Sequence, residues 1–242
     1  MLLENLERIE AAIEQVCRRA GRSRSDVELM AVSKTYPVST IEEAASLGLS
    51  LFGENRVQEF AAKSDELASL RKSGGDRMRI HLIGHLQSNK SARAAELFDA
   101  IDSLDSLKLA ERLNEAAAKV DKRLPVLIEV KLSTEETKAG LDAESADTAQ
   151  LLERLPDLPH LRLRGLMTIA PWRVPEAQTR ACFRSLRQIR ERWAAAYPGL
   201  NFDVLSMGMS GDFAIAIEEG ATRIRIGTAL FGKREPYTGP PE

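Results

Sequence analysis

Lys34 closes the apolar run Leu29-Met30-Ala31-Val32-Ser33-Lys34 and so delivers a primary amine to the end of a strand-like stretch. The carboxyl ends of strands are where barrel and open-sheet enzymes place their chemistry. Burial disfavours the ammonium form of an amine, leaving a lone pair that can attack a carbonyl and form a Schiff base. A lysine that only snorkels out of a strand end is the plainer alternative. A second constellation is Leu205-Ser206-Met207-Gly208-Met209-Ser210-Gly211-Asp212, which follows a strand pattern and opens the helical run Phe213 to Glu219. Gly208 and Gly211 let the backbone approach a ligand closely, Ser206 and Ser210 offer hydroxyls, and the amides at a helix start favour an anion. Asp212 would be a cap there. An ordinary turn with Ser210 as N-cap accounts for the same residues. The next strand pattern, Arg223 to Gly227, runs into a further small-residue turn at Gly227-Thr228-Ala229. The turns after the last two strands of a barrel often share one phosphate.

Arg225 alternates with Ile224 and Ile226, so the isoleucines share one strand face and the guanidinium takes the other, toward the barrel mouth or interior. A buried guanidinium needs a partner, either a carboxylate in a structural ion pair or an acceptor such as the ring nitrogen of a pyridine cofactor. In the second case an arginine, which keeps its protons, would hold that nitrogen unprotonated and weaken the ring's capacity to store carbanion charge. Phe52-Gly53-Glu54-Asn55-Arg56 and Ile80 to Lys90 also place polar groups directly after strands. His81 and His85 are separated by Gly84, which breaks any helix that could bring them to one zinc ion; His81 reads as a satisfied core histidine and no metal is assigned. Met167 reads as core packing, and the acid-rich turn Ser133 to Leu141 as a helix cap. No Ser/His/Asp or Cys/His arrangement emerges from this order of residues.

The elements that must position these groups alternate. Leu2, Leu6, Ile9, Ile13, Val16 and Cys17 recur at helical spacing up to Gly21, which predicts one leading amphipathic helix. Strands are predicted at Glu28 to Ser33, Leu51 to Gly53, Arg79 to Gly84, Ala100 to Ser103, Val126 to Lys131, Leu163 to Ile169, Phe202 to Met207 and Arg223 to Gly227. Helical patterns separate them, one opened by a capping box at Ser39-Thr40-Ile41-Glu42 and stopped at Gly48, another capped by Asp105 or Ser106. Strands joined by helical crossovers pair in parallel, and eight such units can close on themselves. The expected fold is α/β, a single (β/α)8 TIM barrel over residues 1–232 with a tail at 233–242; pattern alone leaves a doubly wound open sheet as the alternative.

Lys+Arg 34 against Asp+Glu 36, a formal net charge of -2, leaves no basic excess for a nucleic-acid partner. Arg180, Arg184, Arg187, Arg190 and Arg192 are expected to form a solvated helix face. Cys17 and Cys182 are the only cysteines, too few for a disulfide framework or a thiolate cluster. Acids in the first turns oppose a secretory signal, and no run is long enough to span a bilayer. The expectation is a soluble, cytoplasmic monomer with no membrane partner.

Ala31-Val32-Ser33-Lys34-Thr35, Phe52-Gly53-Glu54-Asn55, Ile83-Gly84-His85-Leu86-Gln87, Ser206-Met207-Gly208-Met209-Ser210 and Arg225-Ile226-Gly227-Thr228 stand in this order. Together they resemble the motifs of the pyridoxal phosphate homeostasis proteins, a family related to the alanine racemase N-terminal domain, and the resemblance runs from the leading helix to Gly232. It implies a pyridoxal 5'-phosphate (PLP) site in which Lys34 holds the cofactor as a Schiff base. By the same resemblance Ser206, Gly208, Ser210, Gly227 and Thr228 surround the phosphate, Arg225 approaches the pyridine nitrogen, and Asn55 and His85 lie near the cofactor. Arg56 stands where some relatives carry tyrosine, so no aromatic contact is carried over. The resemblance further implies intracellular vitamin B6 homeostasis without established turnover, with PLP-requiring apoenzymes as recipients.

Two enzyme readings stay open beside it: a PLP-dependent amino-acid racemase, and a Schiff-base aldolase acting on sugar phosphates. Racemisation needs bases on both faces of the substrate carbon. Of Tyr36, Tyr197 and Tyr237 only Tyr36 is near Lys34 in sequence, Pro37 places it in a departing loop, and no second domain is expected to supply another.

Overall fold

A computed structural model describes residues 1–74, 78–132 and 139–232. Its elements are α1 (Leu2–Arg19), β1 (Glu28–Val32), α2 (Val38–Ser46), β2 (Leu51–Glu54), α3 (Val57–Gly74), β3 (Arg79–Leu82), α4 (Ser91–Leu97), β4 (Ala100–Leu104) and α5 (Leu107–Lys119). They continue with β5 (Leu124–Glu129), α6 (Ala146–Arg154), β6 (Leu161–Met167), α7 (Glu176–Ala196), β7 (Val204–Met209), α8 (Phe213–Glu218), β8 (Arg223–Ile226) and α9 (Thr228–Phe231). All eight strands pair in parallel with their sequence neighbours, and β8 returns to β1, giving a closed barrel. Closure rests on the register Glu28↔Arg223, Leu29↔Ile224, Met30↔Arg225 and Ala31↔Ile226. The open-sheet alternative falls with it.

Strand alternation splits the core in two. Leu29, Ala31, Phe52, Ile80, Leu82, Ile128, Leu166, Leu205, Ile224 and Ile226 join the main apolar cluster beneath the helices. Met30, Leu51, Leu127 and Met167 are equally buried but stand outside that cluster, in the lumen. The lumen also takes Asp102, Glu129, Ser206, Arg223 and Arg225, all buried. At its lower end Arg223 pairs with Glu28 at 2.8 Å and with Asp102 at 3.1 Å. Asp102 also meets His81 Nδ1 at 3.0 Å, so His81 is a satisfied core histidine. Burial would raise the Asp102 carboxyl, yet His81 and Arg223 hold it below the ordinary value.

The leading helix forms as its spacing predicts and buries Leu2, Leu6, Ile9, Ile13, Val16 and Cys17, each worth about 1.5–3 kcal/mol for the large aliphatics. It packs on α8 and α9, and Asn5 Nδ2 donates to Leu230 O at 2.9 Å while Arg22 donates to Ile217 O at 2.8 Å. It thereby backs the two short helices that follow β7 and β8. Cys17 and Cys182 are buried thiols, and burial pushes the Cys17 thiol up.

Two expectations change and one open choice is decided. The capping box at Ser39 to Glu42 is not used: α2 starts at Val38 behind Pro37, with no side-chain cap, because Val38, Ile41 and Ala44 then form one buried stripe. Ser106, rather than Asp105, caps α5 by accepting from Leu109 N at 3.2 Å. The arginines of α7 are also not simply solvated. Arg180 bonds Glu176, Glu218 and Glu219, and Arg184 reaches Glu219 at 3.0 Å, so the row ties α7 to α8. Burial would raise Glu219, but hydrogen bonds from Arg184 and Arg180 hold its carboxyl below the usual range. Residues 133–138 of the acid-rich turn Ser133 to Leu141 and the tail at 233–242 lie outside the described residues, and the helix that follows the turn, α6, is capped by Ser145.

Candidate functional site

Lys34 follows β1 at the barrel mouth, half-buried, with its Nζ 3.3 Å from Asn55 Oδ1 at the end of β2. The turn that carries it is held from below. Ser33 is fully buried and donates from Oγ to Glu54 Oε1 at 2.6 Å. Lys63, reaching in from α3, donates to that same oxygen at 3.0 Å and to the carbonyls of Ser33 at 3.4 Å and Tyr36 at 3.2 Å. Thr35 N donates to Glu59 Oε1 at 2.5 Å. These bonds fix Thr35 at φ 68, a left-handed backbone that is unfavourable for a β-branched residue. The strain sits one residue beyond the amine. Burial raises the Glu54 carboxyl, opposed by Lys63 and Ser33, and its Oε2 has no hydrogen-bond partner among the described residues.

Across the β1–β8 seam, Arg225 is 4% exposed and lies in register with Met30. Its guanidinium donates to Ser206 O at 2.8 Å, Ser206 Oγ at 2.9 Å and Thr168 O at 2.9 Å. Neutral acceptors therefore hold it, in place of the direct carboxylate pair that was one of the two readings. Desolvation lowers its proton affinity, and the charges of Asp102, Glu129 and Asp212 work against that; it stays a cation, as guanidinium does. Ser206 lies under this guanidinium, deeper than Gly208 and Ser210. Gly208 turns the chain at φ 93, and a Cβ there would lie 2.5 Å from Ala216 Cβ, so α8 can pack only on a glycine. Ser210 Oγ accepts from Ala229 N at 3.3 Å, which links the turn after β7 to the turn after β8. Gly227 precedes α9 and Thr228 is exposed beside it. Asp212 stands at the cap position of α8, but its carboxylate takes Met209 N at 2.5 Å, within the turn.

The opposite rim is formed by β3 and β5. A Cβ on Gly84 would fall 2.1 Å from Asn55 O, so this glycine lets the β3 end close on Asn55. His85 is exposed and its Nδ1 meets Asp105 at 2.9 Å; burial raises the Asp105 carboxyl against the pull of His85. A cavity of about 280 Å³ opens between Asn55, His85, Glu129, Lys131 and Ile169. The structure thus brings Lys34, Asn55, Ser206, Gly208, Ser210, Arg225, Gly227 and Thr228 to one end of adjacent strands and puts His85 at the margin. Among the described residues no His, Cys, Asp and Glu group could hold a metal ion.

Sequence reasoning passed over Glu129, Asp102 and Lys63. Glu129 was visible as an acid alternating with Leu127 inside a strand of buried residues, and Asp102 similarly beside Ile101. Lys63 left no such signal: with Glu59 four residues before it, it looks like an ordinary exposed helix pair. PLP calls for an amine, a donor for its ring nitrogen and a cradle for a phosphate. Lys34, Arg225 and the paired turns supply these from β1, β8 and β7, and the set fits.

The family model described as alanine racemase, N-terminal domain, matches residues 5–235. A pyridoxal phosphate homeostasis protein of Vibrio cholerae is 43% identical over 240 residues, covering 96% of each chain. PipY of Synechococcus elongatus PCC7942, solved with PLP bound, is 41% identical, with a TM-score of 0.79 over 91% of this chain and 100% of that one. An alanine racemase of Clostridium difficile 630 shares the fold at 16% identity and a TM-score of 0.74, covering 98% of this chain and 57% of that protein. With motifs, barrel and full-length relatives in agreement, the chain belongs to the pyridoxal phosphate homeostasis protein family, built on the alanine racemase N-terminal domain.

Proposed function

We propose that this protein binds PLP at the barrel mouth through Lys34 and serves intracellular vitamin B6 homeostasis as a cytoplasmic binding protein. The observation that carries the proposal is the position of the Lys34 amine, 3.3 Å from Asn55 Oδ1 and across one strand seam from Arg225. Asn55 orients the amine, Arg225 meets the ring nitrogen, and the turns holding Gly208, Ser210, Gly227 and Thr228 take the phosphate, with Ser206 fixing Arg225 from beneath. His85 borders the entrance. The bound cofactor would supply an electrophilic aldehyde; the protein restrains it and passes it to PLP-requiring apoenzymes. PipY, at 41% identity, was solved with PLP bound, which supports the ligand. No helix of the described residues is long and apolar enough to cross a membrane.

Mixing the protein with PLP should give a visible absorbance band that borohydride converts to a stable modification mapping to Lys34. A Lys34→Ala protein with an unchanged spectrum refutes the reading. Tyr36, the tyrosine nearest Lys34 in sequence, donates its hydroxyl to Gly232 O at 2.9 Å and packs at a tilt against Phe231, which supports a role without turnover. One observation favours a racemase instead: Glu129, buried and facing the cavity, is pushed up to about 7, a value suited to a general base. Lys34-dependent exchange of an amino acid's α proton with solvent deuterium would establish that reading, and its absence across a panel of amino acids would favour the binding protein.

A further inference from the structure

Glu129 ends β5 inside the barrel mouth, 5% exposed. Among the described residues its carboxyl takes no hydrogen bond, although buried carboxylates are ordinarily bonded or paired. It lines the cavity shared with Asn55, the partner of Lys34, and lies within the field of Arg225. An unpartnered buried acid facing a cavity between two cofactor-directed side chains has a ligand as its natural partner. Resting on the proposed PLP reading, we infer that Glu129 is a proton-dependent latch: as the neutral acid it donates a hydrogen bond to the bound cofactor, and as the carboxylate it repels the cofactor's negative charge. The site would then grip PLP below neutral pH and loosen above it.

The surrounding charges fit a group poised near neutrality. Burial raises the carboxyl, Asp105 beyond β4 raises it further, and Arg225 on β8 and His85 beyond β3 lower it, leaving it at about 7. Lys131, two residues along its own chain, lines the same cavity, and Lys34 is reached through Asn55. At the end of β6, Met167 and the following Thr168 carry no charge, while Arg164 sits lower, at the bulge opposite Val126 and Leu127. Deeper in the lumen, Asp102 is occupied by His81 and Arg223. An anionic ligand raises the proton affinity of Glu129 further, so binding takes up a proton, and the dissociation constant rises up to about tenfold per pH unit above pH ~7.

The test compares PLP dissociation constants of the wild type and Glu129→Gln from pH 6 to 8.5. Ionisations of Lys34 and of the cofactor phosphate occur in both proteins and cancel in the ratio. The two should agree within about threefold at pH 6, and the glutamine variant should bind about tenfold or more tightly at pH 8.5. Parallel profiles overturn the inference. Infrared difference spectra of the wild type keep the test independent of the variant's folding: adding PLP at pH 8 should produce a carboxylic acid C=O band, and no such band refutes the latch. Loss of all Lys34-dependent PLP binding by the wild type would instead refute the proposed function, so the two failures are distinct.

Discussion

Replacing Lys63 with methionine removes the ammonium that bridges Glu54 and the carbonyls of Ser33 and Tyr36 beneath Lys34. The side chains of Lys63 and Glu54 are 12% and 0% exposed. Removing one partner of such a pair typically costs about 3–5 kcal/mol because the other charge is left buried. Glu54 limits the loss by taking up a proton, since burial already raises its carboxyl above the usual 4.5. In the unfolded chain the same carboxyl ionises at its ordinary value. The contribution is therefore fully present at acid pH and is lost as pH rises through the folded value, at about 1.4 kcal/mol per unit. Urea denaturation of Lys63→Met should show a loss of about 3 kcal/mol at pH 8 and about 1 kcal/mol at pH 5.5. The melting temperature at pH 8 should fall by about 6–12 °C. Adding Glu54→Gln should restore about 2 kcal/mol at pH 8 by removing the buried charge. A loss equal at both pH values, or no rescue by the double variant, refutes the account of this turn.

Two further substitutions probe the mouth. Gly84→Ala should push Asn55 away from Lys34, because the new Cβ would lie 2.1 Å from Asn55 O; PLP titration should show affinity reduced by about tenfold or more. Gly199→Ala, whose Cβ would meet nothing within 4 Å, is the control, and equal effects from both would remove the steric explanation. Ser210→Ala breaks the bond to Ala229 N that joins the two turns. It should weaken PLP binding about fivefold, the value of one hydrogen bond, while leaving binding of phosphate-free pyridoxal within about twofold. Equal losses for the two ligands would place Ser210 outside the phosphate cradle.

The barrel was legible because period-2 runs and helical stripes record burial directly. Ile224 and Ile226 predict the face that meets the helices, and the same alternation assigns Arg225 to the lumen. Closure was less legible, since it depends on the pairing of Glu28 with Arg223, residues far apart in the chain that carry no local mark of each other. Lys34 and the glycine turns stood out as candidate site residues because their types are unusual for strand ends. The support beneath Lys34 was not: the roles of Glu54, Glu59 and Lys63 arise where α3 lands beside the β1 turn, and the left-handed conformation of Thr35 contradicts its local preference. Ser39 failed as a cap for a related reason, because tertiary burial of Val38 set the helix start ahead of local capping chemistry.

The polar lumen explains how one barrel can hold a guanidinium ready for a ligand. Arg223 consumes Asp102 and Glu28 in direct ion pairs, and His81 occupies the other oxygen of Asp102. Arg225, one layer higher, therefore lies near negative charge without being neutralised by contact. Its hydrogen-bond partners are two carbonyls and a hydroxyl, which fix its plane but leave its charge uncompensated at close range. A direct carboxylate would satisfy the cation and compete with a ring nitrogen. With distant acids Arg225 remains charged and oriented, on the strand that pairs with β1, whose carboxyl end leads into Lys34.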